Sequence, residues 1–178
     1  SVGDEMIQLV KTYYREQIEG GVFILGDRQA HRYRQHNEQL SRFLHYEILP
    51  VIEKITKKKL RPTYTYLSSY INGSDLPAHT DREDCEYTVS FLVSKDTDWS
   101  IYLHKEKQKQ KYKGRIGYNP DIKECECLNS GENGIIMFCG TDHLHFREKF
   151  DGNIYDVLLL HYRCCLLYTS PSPRDTIR

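Results

Sequence analysis

The chain has 178 residues, with 25 Lys plus Arg balanced by 25 Asp plus Glu, and 39% of its residues are apolar. These values are typical of one ordinary soluble domain, which at this size buries roughly two thirds of the surface that the unfolded chain exposes. A formal net charge of zero argues against a nucleic-acid binder or a polybasic membrane-surface protein. No apolar run approaches the roughly 20 residues that cross a bilayer and no signal pattern opens the sequence, so we expect a cytoplasmic protein without nucleic-acid or membrane partners.

Two amphipathic segments open the chain. The first predicts a helix with one buried stripe, formed by Met6, Leu9, Val10 and Tyr13. The second predicts a longer helix over residues 40–55, with a bend at Pro50. Both helices need a surface to cover.

That surface is predicted from residue 62 onward, where the period changes from 3.6 to 2 and the residues become β-branched or aromatic. The predicted strands are 63–70, 87–93, 100–103, 134–138 and 155–162. Helices followed by a run of strands predict an α+β fold, and a small barrel or jelly roll is the natural way for such strands to close. We expect one domain over residues 1–165, with a helical part at 1–60 and a barrel at 61–165.

Three further features carry no catalytic signal. The Lys- and Gln-rich block at 105–113 predicts a solvated hairpin extension. The six cysteines are scattered in a chain that folds without cross-links, so reduced thiols are expected. Residues 166–178 follow the last strand without helical or strand period and are expected to be a non-native or disordered tail.

The most informative residues are a histidine and an aspartate two positions apart. On an extended segment His79 and Asp81 point to the same side, so both can reach one metal ion. A run with two more histidines, His143 and His145, follows the predicted strand 134–138. Two histidines and one carboxylate that leave adjacent positions open suit non-haem Fe(II) better than zinc.

With these residues the sequence resembles the 2-oxoglutarate and Fe(II)-dependent dioxygenases, in their prolyl 4-hydroxylase-like branch. The resemblance covers about residues 40–163. It rests on the segments 62–67, 76–82, 85–90, 98–102 and 145–150, and on a strand that ends at 160–162. It implies a double-stranded β-helix, a cupin-like jelly roll, with the N-terminal helices packed on one sheet.

The resemblance also implies a chemistry and a set of site residues. An unactivated C–H bond of a peptidyl residue or a small molecule is hydroxylated with O₂, and 2-oxoglutarate is converted to succinate and CO₂, with ascorbate as an assisting reductant. His79, Asp81 and His145 match the Fe(II) ligands, with His143 as a rival to His145. Tyr70 matches a position where such enzymes place a tyrosine that hydrogen-bonds the cosubstrate.

One feature departs from the family pattern. These enzymes usually hold the far carboxylate of 2-oxoglutarate with a base about ten residues after the distal histidine, but residues 154–156 include none. Arg147 is the first candidate because it shares strand parity with His145, and Arg163 and Arg82 are the alternatives. The missing base is the one feature that favours a non-catalytic, cupin-like metal or ligand-binding module over an enzyme. The identity of the substrate and the oligomeric state do not follow from the sequence.

Overall fold

The structure is a computed structural model that describes residues 2–26, 30–108, 118–131 and 134–165. Three α-helices lie within these ranges: α1 (Val2–Glu19), α2 (Gln39–Glu47) and α3 (Leu49–Thr56). The strands are β1 (Ile24–Leu25), β2 (Arg32–His36), β3 (Leu60–Tyr70), β4 (Leu76–His79), β5 (Tyr87–Lys95), β6 (Ile101–Lys107), β7 (Cys125–Leu128), β8 (Ile135–Phe138), β9 (His143–Arg147) and β10 (Tyr155–Cys164). Short 3₁₀ helices span Glu83–Cys85 and Ile122–Glu124.

The strands form two antiparallel sheets. The larger sheet has the order β1-β2-β3-β10-β5-β8, and the smaller has the order β4-β9-β6-β7. The five predicted strands correspond to β3, β5, β6, β8 and β10. The segments now seen as β4 and β9 were expected to be extended around His79 and His145, and β1, β2 and β7 had no prediction. Because β1 and β2 precede residue 61, the larger sheet draws two strands from the part of the chain that was expected to be helical.

Strand alternation gives the larger sheet two different faces. On β10, Leu158, Leu160 and Tyr162 belong to the core cluster that includes Tyr14 and Ile52 of the helices. The intervening residues Val157, Leu159 and His161 line a cavity on the opposite face. The helices therefore pack on one sheet, as expected, and the inner face is left for a site.

The helices differ from the predicted stripes in their details. In α1, Met6 and Leu9 are 58% and 65% exposed, and the buried contact is made by Tyr14. The long second helix is two helices, since α2 ends at Ile48 and Pro50 lies in the first turn of α3. Proline is tolerated in a first turn, where its missing N–H has no intrahelical partner, so it begins a helix here instead of bending one.

Some predictions fall outside the described ranges. The tail at 166–178 lies wholly outside them, and so do residues 109–113 of the basic block. The described part of that block is the exposed end of β6, residues 105–107, and the half-buried Gln108 that follows it. All six cysteines are free thiols, and no helix in the described ranges is long and apolar enough to cross a membrane.

Candidate metal centre

Three side chains with metal-ligand atoms meet where β4 lies beside β9. His79 is the last residue of β4 and pairs in register with His145 of β9, so their rings lie 4.3 Å apart between centroids. Asp81 follows β4 by two residues, and its Oδ1 lies 3.5 Å from His79 Nε2 and 3.6 Å from His145 Nε2. The three ligand atoms lie within 4.8 Å of one another.

In each imidazole the second nitrogen, Nδ1, is hydrogen-bonded to a backbone carbonyl of the same strand. His79 Nδ1 lies 2.7 Å from the carbonyl oxygen of Pro77, and His145 Nδ1 lies 3.0 Å from that of His143. A carbonyl can only accept, so each Nδ1 carries the hydrogen, and in the neutral ring the lone pair is on Nε2. Two lone pairs and a carboxylate oxygen that face one another repel unless a cation or a proton lies between them. This donor set fits a divalent metal ion.

The carboxylate of Asp81 is held in place through Oδ2, the oxygen that does not face the two histidines. Thr88 donates a hydrogen bond of 3.0 Å to Oδ2, and the backbone N–H of Asp81 donates to the carbonyl of Gly140 at 2.7 Å. His161 Nδ1 lies 3.0 Å from the same Thr88 hydroxyl, so it supplies the hydrogen in a chain from His161 through Thr88 to Asp81. A Cβ at Gly140 would lie 2.1 Å from Asp81 Oδ2, so only glycine leaves room for the carboxylate.

The electrostatics of the site favour an ionised Asp81. Burial by itself would raise the pKa of Asp81, but His145 and His79 hold that pKa well below its usual value. Burial, followed by the neighbouring His145, lowers the pKa of His79. Burial also lowers the pKa of His161 to about 4, which keeps this ring neutral near pH 7. Burial by itself would lower the pKa of His145, but the neighbouring Asp81 raises it, so the carboxylate has one negative charge to offer a cation once that ring is neutral.

A cavity of about 640 Å³ opens beside these three side chains. Its lining comes from both sheets and includes His79, Asp81 and His145. Tyr70, the predicted cosubstrate contact, also lines it and is 2% exposed, with its ring 4.9 Å from that of Trp99. The hydroxyl of Tyr70 accepts a hydrogen bond from Arg32.

Of the three basic candidates, Arg147 lies deepest in the protein. It lines the cavity at 4% exposure, and its guanidinium lies 4.8 Å from the ring centres of Trp99 and Tyr155. Arg82 lines the cavity too but is exposed. Arg163 does not line it and instead pairs with Glu83 at 3.1 Å.

The rival distal histidine lies apart from the donor group. His143 Nδ1 lies 2.9 Å from the carbonyl of His104, and the ring is not among the donors gathered around Asp81 in the described residues. His145 is therefore the histidine of this run that meets His79 and Asp81.

Several residues of the site had no prediction. Arg32 and Arg34 of β2 both line the cavity, and Arg32 is 5% exposed. Their strand alternates charged with polar and aromatic residues, so it lacks the apolar face by which a strand is recognised, although the two-residue spacing of Arg32 and Arg34 is visible. Cys85 is a further unpredicted neighbour, since its thiol lies 2.9 Å from the hydroxyl of Tyr64 and near Asp81 and His161.

Comparison with known proteins gives similarity at the level of structure. Neither the protein-family models nor the curated proteins yield a match. A prolyl-4-hydroxylase from Pseudomonas putida is similar over 90% of this chain and 87% of its own, with 10% identity and a TM-score of 0.61. HygX from Streptomyces hygroscopicus, with nickel and 2-oxoglutarate bound, is similar over 89% and 80%, with 11% identity and a TM-score of 0.63.

A third similar structure is the non-heme alpha-ketoglutarate-dependent carbocyclase SnoK from nogalamycin biosynthesis. It matches over 89% of this chain and 74% of its own, with 10% identity and a TM-score of 0.64. The chain therefore has the fold of the 2-oxoglutarate and Fe(II)-dependent oxygenases.

Proposed function

We propose that this protein is an Fe(II)- and 2-oxoglutarate-dependent dioxygenase. The observation that carries the proposal is the pair of Nε2 atoms, from His79 and His145, that face Oδ1 of Asp81 at 3.5 and 3.6 Å. Independent support comes from the similarity to structures of HygX that contain iron, or nickel and 2-oxoglutarate. In this proposal residues 1–165 act as one catalytic domain.

Each residue has a defined part in the proposal. His79, Asp81 and His145 hold Fe(II), and the Thr88 hydroxyl keeps the Asp81 carboxylate turned toward it. Arg147 pairs with the far carboxylate of 2-oxoglutarate, because a buried guanidinium provides the charge that a buried dianion needs. Tyr70 donates a hydrogen bond to the same molecule, and the aromatic residues around Arg147 exclude water from it.

The bound iron and 2-oxoglutarate would supply the oxidising chemistry, in which O₂ is consumed, succinate and CO₂ are released and an unactivated C–H bond of the substrate is hydroxylated. The chain contributes the dry cavity and the positions of the reactants. One structural neighbour binds hygromycin B in its crystal, which supports a small molecule as the substrate class, with a peptidyl residue as the other possibility. Ascorbate would keep the iron reduced in the assay.

Removal of one metal ligand should abolish turnover. Purified protein with Fe(II), 2-oxoglutarate and ascorbate is expected to release succinate, even slowly and without a substrate, whereas His79→Ala and Asp81→Ala should not. Each variant loses one of the three donors that meet in the described part of the chain. His31→Ala serves as the control, because its exposed ring does not line the cavity. Succinate release that neither ligand variant affects would refute the proposed function.

Arg147 should govern the affinity for 2-oxoglutarate. Arg147→Ala should raise the concentration of 2-oxoglutarate at half-maximal succinate release by about tenfold or more, because a charge-assisted contact contributes about 1.5–3 kcal/mol. Arg163→Ala is the matched control, since this arginine pairs with Glu83 away from the cavity. If Arg147→Ala needs no more 2-oxoglutarate than the unmodified protein, Arg147 does not bind the far carboxylate. The residue to test next would then be Arg32, the other buried arginine that lines the cavity.

The alternative of a non-catalytic binding module rested on the absence of a base at residues 154–156. Arg147 and Arg32 now offer that charge from β9 and β2. The missing base therefore no longer favours the alternative.

A further inference from the structure

The cavity beside the candidate metal centre contains more positive charge than the proposed cosubstrate requires. Four arginines line it: Arg32, Arg34, Arg82 and Arg147. Among the described residues, Asp81 is the one carboxylate in the lining.

Arg32 and Arg147 belong to a buried aromatic cluster. Arg147 lies against Trp99 and Tyr155, and the ring of Trp99 lies 4.9 Å from that of Tyr70. Arg32 pairs in register with Tyr70, and its guanidinium lies 5.3 Å from the centre of the Tyr70 ring. Arg32 and Arg147 thus flank one aromatic group, so both can serve the far carboxylate of 2-oxoglutarate.

Arg82 belongs to a different part of the cavity. It donates a hydrogen bond of 3.1 Å to the hydroxyl of Tyr64. The ring of Tyr64 lies 4.6 Å from that of His161, which joins Asp81 through Thr88. Arg82 is therefore on the metal side of the cavity and is exposed there.

Arg34 lies between Arg32 and His36 on the cavity face of β2. Its register partner is Ser68 of β3, and its Nε donates to the carbonyl of Gly26 at 3.0 Å. That bond fixes the plane of the guanidinium and uses one of its five N–H donors. The ring of His36 lies 5.9 Å from that of Tyr64, so β2 and the surroundings of Arg82 meet along one wall.

The charges decide which class of molecule this wall accepts. A divalent metal, Asp81 and doubly charged 2-oxoglutarate together have one negative charge, which Arg32 and Arg147 already exceed. Arg34 and Arg82 remain as positive charges beside aromatic and apolar surface. Arginine forms paired N–H contacts with the oxygens of carboxylates and phosphates. Neutral and cationic groups rarely offer two acceptor oxygens at the spacing of these N–H groups.

We propose that the substrate of this site is an anion whose carboxylate or phosphate group binds between Arg34 and Arg82. This inference rests on the proposed function, because it assumes that Arg147 and Arg32 are occupied by the cosubstrate. The remainder of the substrate must share the cavity of about 640 Å³ with 2-oxoglutarate, so a small molecule or a short chain terminus fits.

The test uses protein loaded with Mn(II) and saturating 2-oxoglutarate, which prevents turnover. Benzoate, phenyl phosphate and neutral benzamide are titrated into it by calorimetry. We expect one or both acids to bind at least about tenfold more tightly than benzamide, and the comparison of benzoate with phenyl phosphate tells which oxyanion is preferred. The double variant Arg34→Gln with Arg82→Gln should lose most of this preference while its affinity for 2-oxoglutarate is unchanged.

Arg61→Gln is the control for charge alone, because Arg61 is exposed on β3 and does not line the cavity. Equal binding of the acids and benzamide, no binding of either acid, or a preference that survives in the double variant would each overturn the anionic-substrate inference and leave the proposed function standing. Failure of the unmodified protein to bind 2-oxoglutarate with Mn(II) would instead overturn the proposed function and this inference with it.

Discussion

At the scale of single residues, the candidate centre depends on one position that has no side chain. Gly140 follows β8 and accepts a hydrogen bond from the backbone of Asp81, and the Asp81 carboxylate occupies the space where a Cβ would be. The hydroxyl of Thr88 approaches the carboxylate through Oδ2, while the histidines face Oδ1. The carboxylate therefore cannot move without losing contacts to both.

Gly140→Ala should weaken metal binding. The new methyl group would lie 2.1 Å from Oδ2 of Asp81, so either the carboxylate or the backbone at residue 140 must shift. We expect the dissociation constant for Mn(II), measured by calorimetry, to rise by about tenfold or more, in the range seen when residues that orient a ligand are changed. Gly131→Ala is the control, because nothing lies within 4 Å of the added methyl group. Equal Mn(II) affinity in both variants would contradict the steric role of Gly140.

At the scale of elements, an ion pair links α1 to the central strand of the larger sheet. Arg15 of α1 lies 2.7 Å from Oδ2 of Asp156 on β10, and the Asp156 side chain is fully buried. Ser94 of β5 also donates to this oxygen. Asp156 occupies one of the positions where the family pattern places a base, but it points to the helical side and so takes no part in the cavity.

Arg15→Ala should destabilise the fold because it leaves the Asp156 carboxylate buried without its cation. We expect the free energy of unfolding in urea to fall by about 2–4 kcal/mol, somewhat less than for a fully buried pair, because the Arg15 side chain is 26% exposed. Lys59→Ala breaks a pair with Glu53 in which the lysine side chain is 85% exposed, and should cost much less stability because solvent screens the pair. Similar small losses in both variants would mean that the Asp156 carboxylate is solvated after Arg15 is removed.

The elements also explain how much of the fold could be read from the sequence. The strands β3, β5 and β10 were predicted because β-branched and aromatic residues alternate along them. β2 was missed because Arg32 and Arg34 occupy its inward positions, where a strand normally has apolar residues. The donor residues His79, Asp81 and His145 came from their spacing and a family resemblance, but the register of β4 against β9, which brings the two rings together, depends on long-range pairing that local sequence does not encode.

At the scale of the whole molecule, the helices cover one face of the larger sheet so that the other face can be polar. The helix-side core contains Tyr14, Leu67, Leu158 and Tyr162, and the cavity side contains the histidines and arginines. His45 of α2 is an exception within the apolar layer. It is 1% exposed, and its Nε2 lies 2.8 Å from the carbonyl of His161, to which it donates.

This buried histidine should make the fold sensitive to acid. Burial lowers the pKa of His45 to about 4, below the ordinary value of 6.5, so the unfolded chain binds a proton in this range that the folded chain does not. The contribution of neutral His45 to stability is therefore complete above pH 6.5 and is lost as the pH falls toward 4. His161, whose pKa burial also lowers to about 4, acts in the same direction.

His45→Gln keeps a donor for the His161 carbonyl but cannot titrate. In urea unfolding with a chelator present, we expect the drop in stability between pH 7.5 and pH 5 to be smaller in His45→Gln than in the unmodified protein by about 1–2 kcal/mol. Tyr46→Phe, a change at an exposed neighbour, should leave the drop as it is. The same drop in His45→Gln and the unmodified protein would mean that the pKa of His45 is the same in the folded and unfolded chains.

The two imidazoles of the candidate centre share one local arrangement, in which Nδ1 lies beside the carbonyl two residues earlier in the same chain segment. In each ring a carbonyl two residues away thus determines that Nδ1 is the protonated nitrogen, and no distant part of the protein is needed for this. During synthesis, segments 77–79 and 143–145 can adopt their chelating form as soon as each becomes extended. Assembly of the histidine pair then requires that two prepared segments come side by side, whereas Asp81 also needs Thr88 and Gly140 in place. A metal ion present at that moment would favour their correct alignment.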